Sequence, residues 1–320
     1  MRRCAILLGV VSLLFPLNAY AQAPTPEAAI NHFKNALKKT GNGDLDGAIE
    51  DYSRAITLSS RFDGGQNVGT RSKNSFTPND NNSSDAVTII NPFTANAYSN
   101  RGLVRYRKGD YAGAIEDYNQ AIRFRPGLAP AYLNRAAALR ANGDLKGALK
   151  DLDRAIALKK DYFEAYSNRG SLHLDLGDTK SALDDLNRSI ELNQRTPEPY
   201  YQRGYLYVAV RNFDKALADF ERAIELAPDM AWAHQGRGTT HMFQGKMLQA
   251  IDDFTRTIEL NPEMPWAFFN RGLIWVYLGD EVKADKDFAA CLKLKPDLKE
   301  ELGPRVELAR HLRRIGKPLL

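Results

Sequence analysis

A glycine followed by a polar residue, with an alanine five positions after the glycine, recurs every 34 residues: Gly109/Ala114, Gly143/Ala148, Gly177/Ala182, Gly245/Ala250 and Gly279/Ala284. Arg211/Ala216 keeps the phase without the glycine. A period of this length implies short helical units, none of which can bury its own apolar stripe, so neighbours must stack. Other columns keep the same register. Gly102, Ala136, Gly170, Gly204, Gly238 and Gly272 form one small-residue column, and Ala121, Ala155, Ser189, Ala223, Thr257 and Cys291 form a second. Tyr98, Tyr132, Tyr166, Tyr200 and Phe268 open repeats, and Pro126, Pro228, Pro262 and Pro296 close them.

Each repeat reads as two helices joined by a tight turn. In the first helix Tyr166, Gly170, His173 and Leu174 have three- and four-residue spacing, and the turn glycine suits a left-handed cap. The aspartate after it (Asp110, Asp144, Asp178, Asp280) is a good N-cap for the second helix, whose stripe is carried by Ala182, Leu186, Ser189 and Ile190.

The order aromatic, small residue, glycine turn, alanine, proline resembles the tetratricopeptide repeat family. The resemblance covers residues 95–298 as six uninterrupted repeats, 95–128, 129–162, 163–196, 197–230, 231–264 and 265–298. A further repeat is expected upstream at 29–62, carried by Gly43, Asp44, Ala48, Tyr52, Ala55 and Ile56, with a divergent first helix holding Asn35 and Lys39. The implied fold is all-α, a right-handed α-solenoid of stacked helix-turn-helix repeats. A capping helix and tail are expected at 299–320, where Pro304 is placed to start a helix and Val306, Ala309, Leu312 and Ile315 share a face. The basic cluster Arg310, Arg313, Arg314 and Lys317 suits a helix C-terminus on dipole grounds, with contact to anionic lipid as the alternative.

Residues 1–21 read as a signal peptide: Arg2 and Arg3, an apolar stretch from Cys4 to Phe15, and Ala19-Tyr20-Ala21 as a cleavage pattern. Export is expected, to the periplasm in a Gram-negative host and otherwise by secretion, with no transmembrane segment in the mature chain. Losing Arg2 and Arg3 leaves 42 basic against 39 acidic residues, a net charge of +3. That balance gives no case for nucleic acid. Residues 63–94, with Gly64-Gly65, Asn79 to Asn82 and Ser83-Ser84, read as an insert, disordered by composition. Its Val87 to Ile90 run could instead form a strand or strap.

Two charged columns run through the array. Arg101, Arg135, Arg169, Arg203, Arg237 and Arg271 occupy one phase, and Asp51, Asp117, Asp151, Asp185, Asp219, Asp253 and Asp287 another. We expect a structural ladder of ion pairs within each repeat, leaving Asp51 without an arginine because Asn35 stands at that phase.

The resemblance places partner binding on the concave face lined by the first helices. Along it, a polar stretch with Asn100, Asn134 and Asn168 gives way to an aromatic one with Tyr201, Tyr205, Trp232, Phe243, Trp266, Phe269 and Tyr277, with Asn270 continuing the asparagine row. Asparagines both donate and accept, so the row suits the backbone of an extended peptide, as in the asparagine ladders of some superhelical arrays of this family. The rings suit apolar anchors. Family members that clamp a chaperone's C-terminal carboxylate place a lysine where this chain has Ser99, Leu133, Ser167, Tyr201, Gln235 and Phe269, which argues against that activity.

No catalytic triad spacing, phosphate loop or Cys/His metal pattern is present, and His173, His234 and His241 fall at core or interface phases. The expected function is a non-catalytic, cofactor-free scaffold that holds a protein or peptide partner. The alternatives are a self-associating structural module, for which a homo-oligomer would be the signature, and a groove for a lipid or glycan.

Overall fold

The structure is a computed structural model that describes residues 27–63, 92–317 and 319. The expected signal peptide and nearly all of the expected insert, including the Val87 to Ile90 run, lie outside the described residues. The helices come in pairs: α1 (Glu27–Gly41) with α2 (Leu45–Asp63), α3 (Pro92–Arg107) with α4 (Tyr111–Phe124), and α5 (Ala129–Ala141) with α6 (Leu145–Leu158). Next come α7 (Phe163–Asp175), α8 (Thr179–Leu192), α9 (Pro197–Ala209), α10 (Phe213–Leu226), α11 (Ala231–Phe243) and α12 (Met247–Leu260). The last are α13 (Pro265–Leu278), α14 (Glu281–Leu294) and, after a short 3-10 turn at Pro296–Leu298, α15 (Lys299–Arg314). No strand occurs among the described residues. Helix α3 opens at Pro92, inside the stretch expected to be insert.

The turn chemistry explains the period. Gly43, Gly109, Gly143, Gly177, Gly245 and Gly279 all take positive φ, and Arg211 takes φ 59° at the one turn that lacks glycine. An L-residue held there is strained, so the surrounding packing enforces the turn on Arg211. The carboxylate after the glycine caps the next helix, with Asp110 accepting from the Gly113 N–H at 2.9 Å and Asp144 from Gly147 at 2.8 Å.

Two compact units, Met1–Leu172 and His173–Leu320, are treated separately. In the first, the small-residue column receives a ring from the second helix: a Cβ at Gly102 would lie 3.0 Å from Tyr118. In the second, a Cβ at Gly204 would lie 2.8 Å from Phe220, and one at Gly272 would lie 2.8 Å from Cδ1 of Phe288 and closer still to its Cε1. Glycine therefore admits a ring at full contact distance, and any larger residue would overpack by ~1–3 kcal/mol. Cys291 is buried in the second small column, and burial pushes its thiol up to about 11, so it behaves as a core side chain.

The charged columns form brackets. Arg101 grips Asp117 with Nε and Nη2 at 2.9 and 2.6 Å, Arg135 grips Asp151 at 2.6 and 2.7 Å, and Arg203 grips Asp219 at 2.8 and 2.7 Å. Arg237 with Asp253 and Arg271 with Asp287 repeat the geometry. The remaining guanidinium nitrogen, Nη1, reaches back to the preceding pair. Arg101 donates to Ser53 at 2.8 Å, Arg135 to Asn119 at 2.6 Å, Arg169 to Asp153 at 2.7 Å, Arg203 to Asn187 at 2.7 Å and Arg271 to Thr255 at 2.8 Å. Arg101, Arg135, Arg203 and Arg271 thus each tie two helix pairs together while neutralising a buried carboxylate.

Asp51 differs from the expectation. Lys39 at 2.7 Å and His32 at 2.8 Å pair with it from α1, replacing the missing arginine from one turn either side of Asn35. Burial pushes the Asp51 carboxyl up, and those two partners outweigh it, so it is held below its ordinary value.

Candidate functional site

In the first unit the first helices carry a buried polar row. Asn100 is 1% exposed, and neither its Nδ2 nor its Oδ1 has a hydrogen-bond partner among the described residues. The Ser99 hydroxyl beside it is also buried and unpartnered among them, whereas Asn96, buried on the same helix, is engaged. Asn134 and Asn168 repeat the position on α5 and α7, both buried. Burial raises the Glu164 carboxyl above its ordinary value, and Arg140 Nη1 donates to Ser171 Oγ at 3.2 Å. Leaving a buried amide unsatisfied costs ~1–3 kcal/mol, so Asn100 is the least settled group of this face.

In the second unit the same face is filled by rings. Tyr201 is buried and meets Tyr205 edge-on at 6.2 Å between centroids, and Tyr205 meets Phe220 at 5.2 Å. The half-buried Tyr205 donates its hydroxyl to the Trp232 backbone carbonyl at 3.1 Å, fixing one first helix to the next. Trp232, Trp266 and Tyr277 are half-buried against the core of the last repeats, and Asn270 is also half-buried.

Two residues expected to face a partner are packed elsewhere. Phe269 is fully buried, with Trp266 edge-on at 5.3 Å and the Arg305 guanidinium of α15 at 5.7 Å over its ring, because the C-terminal helix packs on α13. Phe243 stacks at 5.6 Å on Phe213, the first residue of α10, and so joins two repeats at a helix end. Tyr205, Trp232, Trp266, Tyr277 and Asn270 keep part of their surface accessible.

The histidines are structural. His234 Nε2 lies 3.0 Å from the Pro228 carbonyl, six residues upstream, the same reach by which the Tyr132 hydroxyl meets Pro126 at 3.2 Å. His241 Nδ1 lies 3.0 Å from Asp253. Burial pushes Asp253 up, but His234, His241 and Arg237 together outweigh it and hold the carboxyl well below the usual range. Among the described residues no group of three His, Cys, Asp or Glu side chains could hold a metal ion, and no helix is long and apolar enough to cross a membrane.

Family models for the TPR repeat match residues 102–143 and 136–177, and models for the tetratricopeptide repeat match 163–196 and 197–230. These matches run without a break over residues 102–230, and there the chain is a tetratricopeptide repeat protein. A tetratricopeptide repeat protein from Parabacteroides merdae superposes with a TM-score of 0.60 at 18% identity, covering 90% of this chain and 100% of that one. The structure of the APC/C hetero-tetramer Cut9-Hcn1 gives a TM-score of 0.63 at 18% identity over 66% of this chain, which spans 42% of the length of that chain. At this identity the likeness concerns the fold. No curated protein matches the chain. Arrays of this family serve in general as protein-interaction scaffolds, typically without catalysis of their own.

Proposed function

We propose that the chain is a non-catalytic adaptor that holds an extended segment of a partner protein along its first helices. The buried, unpartnered amide of Asn100 supports this reading most directly. A peptide backbone supplies one N–H and one C=O per residue and satisfies both amide atoms at once, without regard to sequence. In the second unit, taken by itself, the rings at Tyr205 and Trp232 suit apolar side chains of a partner. The N-terminal sequence supports export with a mature chain starting at Gln22, which N-terminal sequencing of the protein recovered from its cells checks directly.

Panning a library of random linear peptides against the purified chain tests the adaptor. Peptides that use the first unit are expected to lose affinity about tenfold with Asn100→Leu, the equivalent of ~1.4 kcal/mol, and those that use the second unit to do so with Trp232→Ala. If no peptide enriches, or if enriched peptides ignore both substitutions, the reading fails.

A further inference from the structure

The end of the array has a second surface, at the turns between first and second helices. In two repeats, the residue just before the turn meets the second residue of the preceding pair's second helix. Lys108 pairs there with Asp46, and Gln244 Nε2 donates to Asp214 at 3.3 Å. One period further along, the same two positions hold Leu278 and Leu248, exposed by 44% and 70%. Val282, 68% exposed, takes the Leu248 position on α14. Leu176 and Val210 are exposed apolar residues at the Leu278 position of earlier repeats, but among the described repeats both positions are strongly apolar at the last turn alone.

The C-terminal helix brings charge to this edge. Arg310 grips Glu281 with Nε and Nη2 at 3.1 and 2.8 Å, fixing the end of α15 beside the start of α14. Ile315, 48% exposed, follows at once, and the Arg313 guanidinium lies against Gly279. Asp280 is occupied by Lys283 at 2.9 Å and Glu281 by Arg310, while Asp252 and Asp285 stay exposed one turn after Leu248 and Val282. Lys246, Arg313, Arg314 and Lys317 are exposed and have no ion-pair partner among the described residues.

We propose that this edge docks on an anionic lipid surface, with Leu248, Leu278, Val282 and Ile315 entering the headgroup boundary and the four free cations meeting lipid phosphates. Single exposed apolar side chains are ordinary, whereas a cluster rimmed by unpaired cations matches what an anionic interface rewards. Pairing this edge with itself in a second copy would bring the same cations together. The apolar side chains protrude and are not large aromatic anchors, so they suit a fluid surface better than a shaped protein pocket.

Co-sedimentation of the full chain with vesicles tests the proposal. Binding is expected to vesicles of phosphatidylglycerol mixed with phosphatidylcholine, to fall with added salt, and to be weak on phosphatidylcholine alone. Leu248→Ser with Val282→Ser, and separately Arg313→Gln with Arg314→Gln, should each weaken binding at least about tenfold while thermal melting stays unchanged. The apolar N-terminal stretch is common to all of these chains, so differences among them report on the edge alone. Equal binding to both vesicle types, or full binding by either double variant, overturns the proposal. So does lipid-free self-association that the serine variant abolishes, since it assigns the edge to a second copy.

Discussion

Asn100 and Gly236 occupy the same position of the repeat, four periods apart, and have opposite surroundings. The first is a buried amide with no partner among the described residues. At the second, a Cβ would lie 3.0 Å from Cδ1 of Phe220 and closer still to the far edge of that ring. Phe220 comes from the preceding second helix, where it also fills the space above Gly204. A single large ring therefore completes the core of one pair and closes the asparagine row of the next. At Gly236 it is this ring that leaves no room for a side chain, while the arginine brackets that hold the pairs together recur in both units.

The largest predicted effect concerns that shared scaffold. Arg135→Ala in the first unit and Arg271→Ala in the second each strand a buried carboxylate, at a cost of ~3–5 kcal/mol in denaturant unfolding. Comparable losses in the two variants are expected. A loss confined to one of them would show that the halves differ in scaffold as well as in face.

The difference in face can be attacked at its source. Gly236→Asn, which restores the row, should cost ~1–3 kcal/mol by collision with Phe220. Combining it with Phe220→Leu should relieve part of that cost, giving a coupling of ~0.5 kcal/mol or more in a double-mutant cycle. Strict additivity would mean that Phe220 does not govern the interruption.

These particular contacts mark where reading the sequence stops. The period, the left-handed turns, the capping aspartates and the arginine–aspartate pairing are periodic in the chain, and a column comparison exposes them. The third arm of each bracket joins Arg135 to Asn119 and Arg271 to Thr255, residues of changing type, so no column of identical residues announces it. The Phe243/Phe213 stack and the Phe220/Gly236 contact likewise depend on how one pair leans on the next. For Asp51 the signal was present: His32 and Lys39 stand at the phases that His234 and His241 take beside Asp253. Asn35 drew attention to the arginine that was missing rather than to the flanking positions that replace it.

Asn100→Leu gives a smaller and opposite effect. Replacing an unsatisfied amide by a side chain of similar size should stabilise the free protein by ~1 kcal/mol while weakening peptide capture. A destabilised variant would mean that the amide is paired in the free chain after all, removing the observation on which the polar face rests.

The smallest effect is a response to acid that separates the two units. Asp253, held low by His234, His241 and Arg237, contributes stability that is present above the unfolded carboxylate value, about 3.9, and is lost as pH falls below it. Asp117 has the opposite sign. Burial outweighs Arg101 and Arg105 there and raises its carboxyl above the ordinary value, so the folded state binds its proton first and acidification through that window favours it. Hydrogen exchange followed from neutral pH down to about pH 3 should therefore show α12 amides losing protection below about pH 4 while α4 amides keep or gain it. Asp253→Asn should remove the acid-induced loss in α12, and Asp117→Asn the gain in α4. If both helices loosen together and neither substitution alters the profile, the carboxylates are equivalent and the electrostatic distinction between the two brackets is lost.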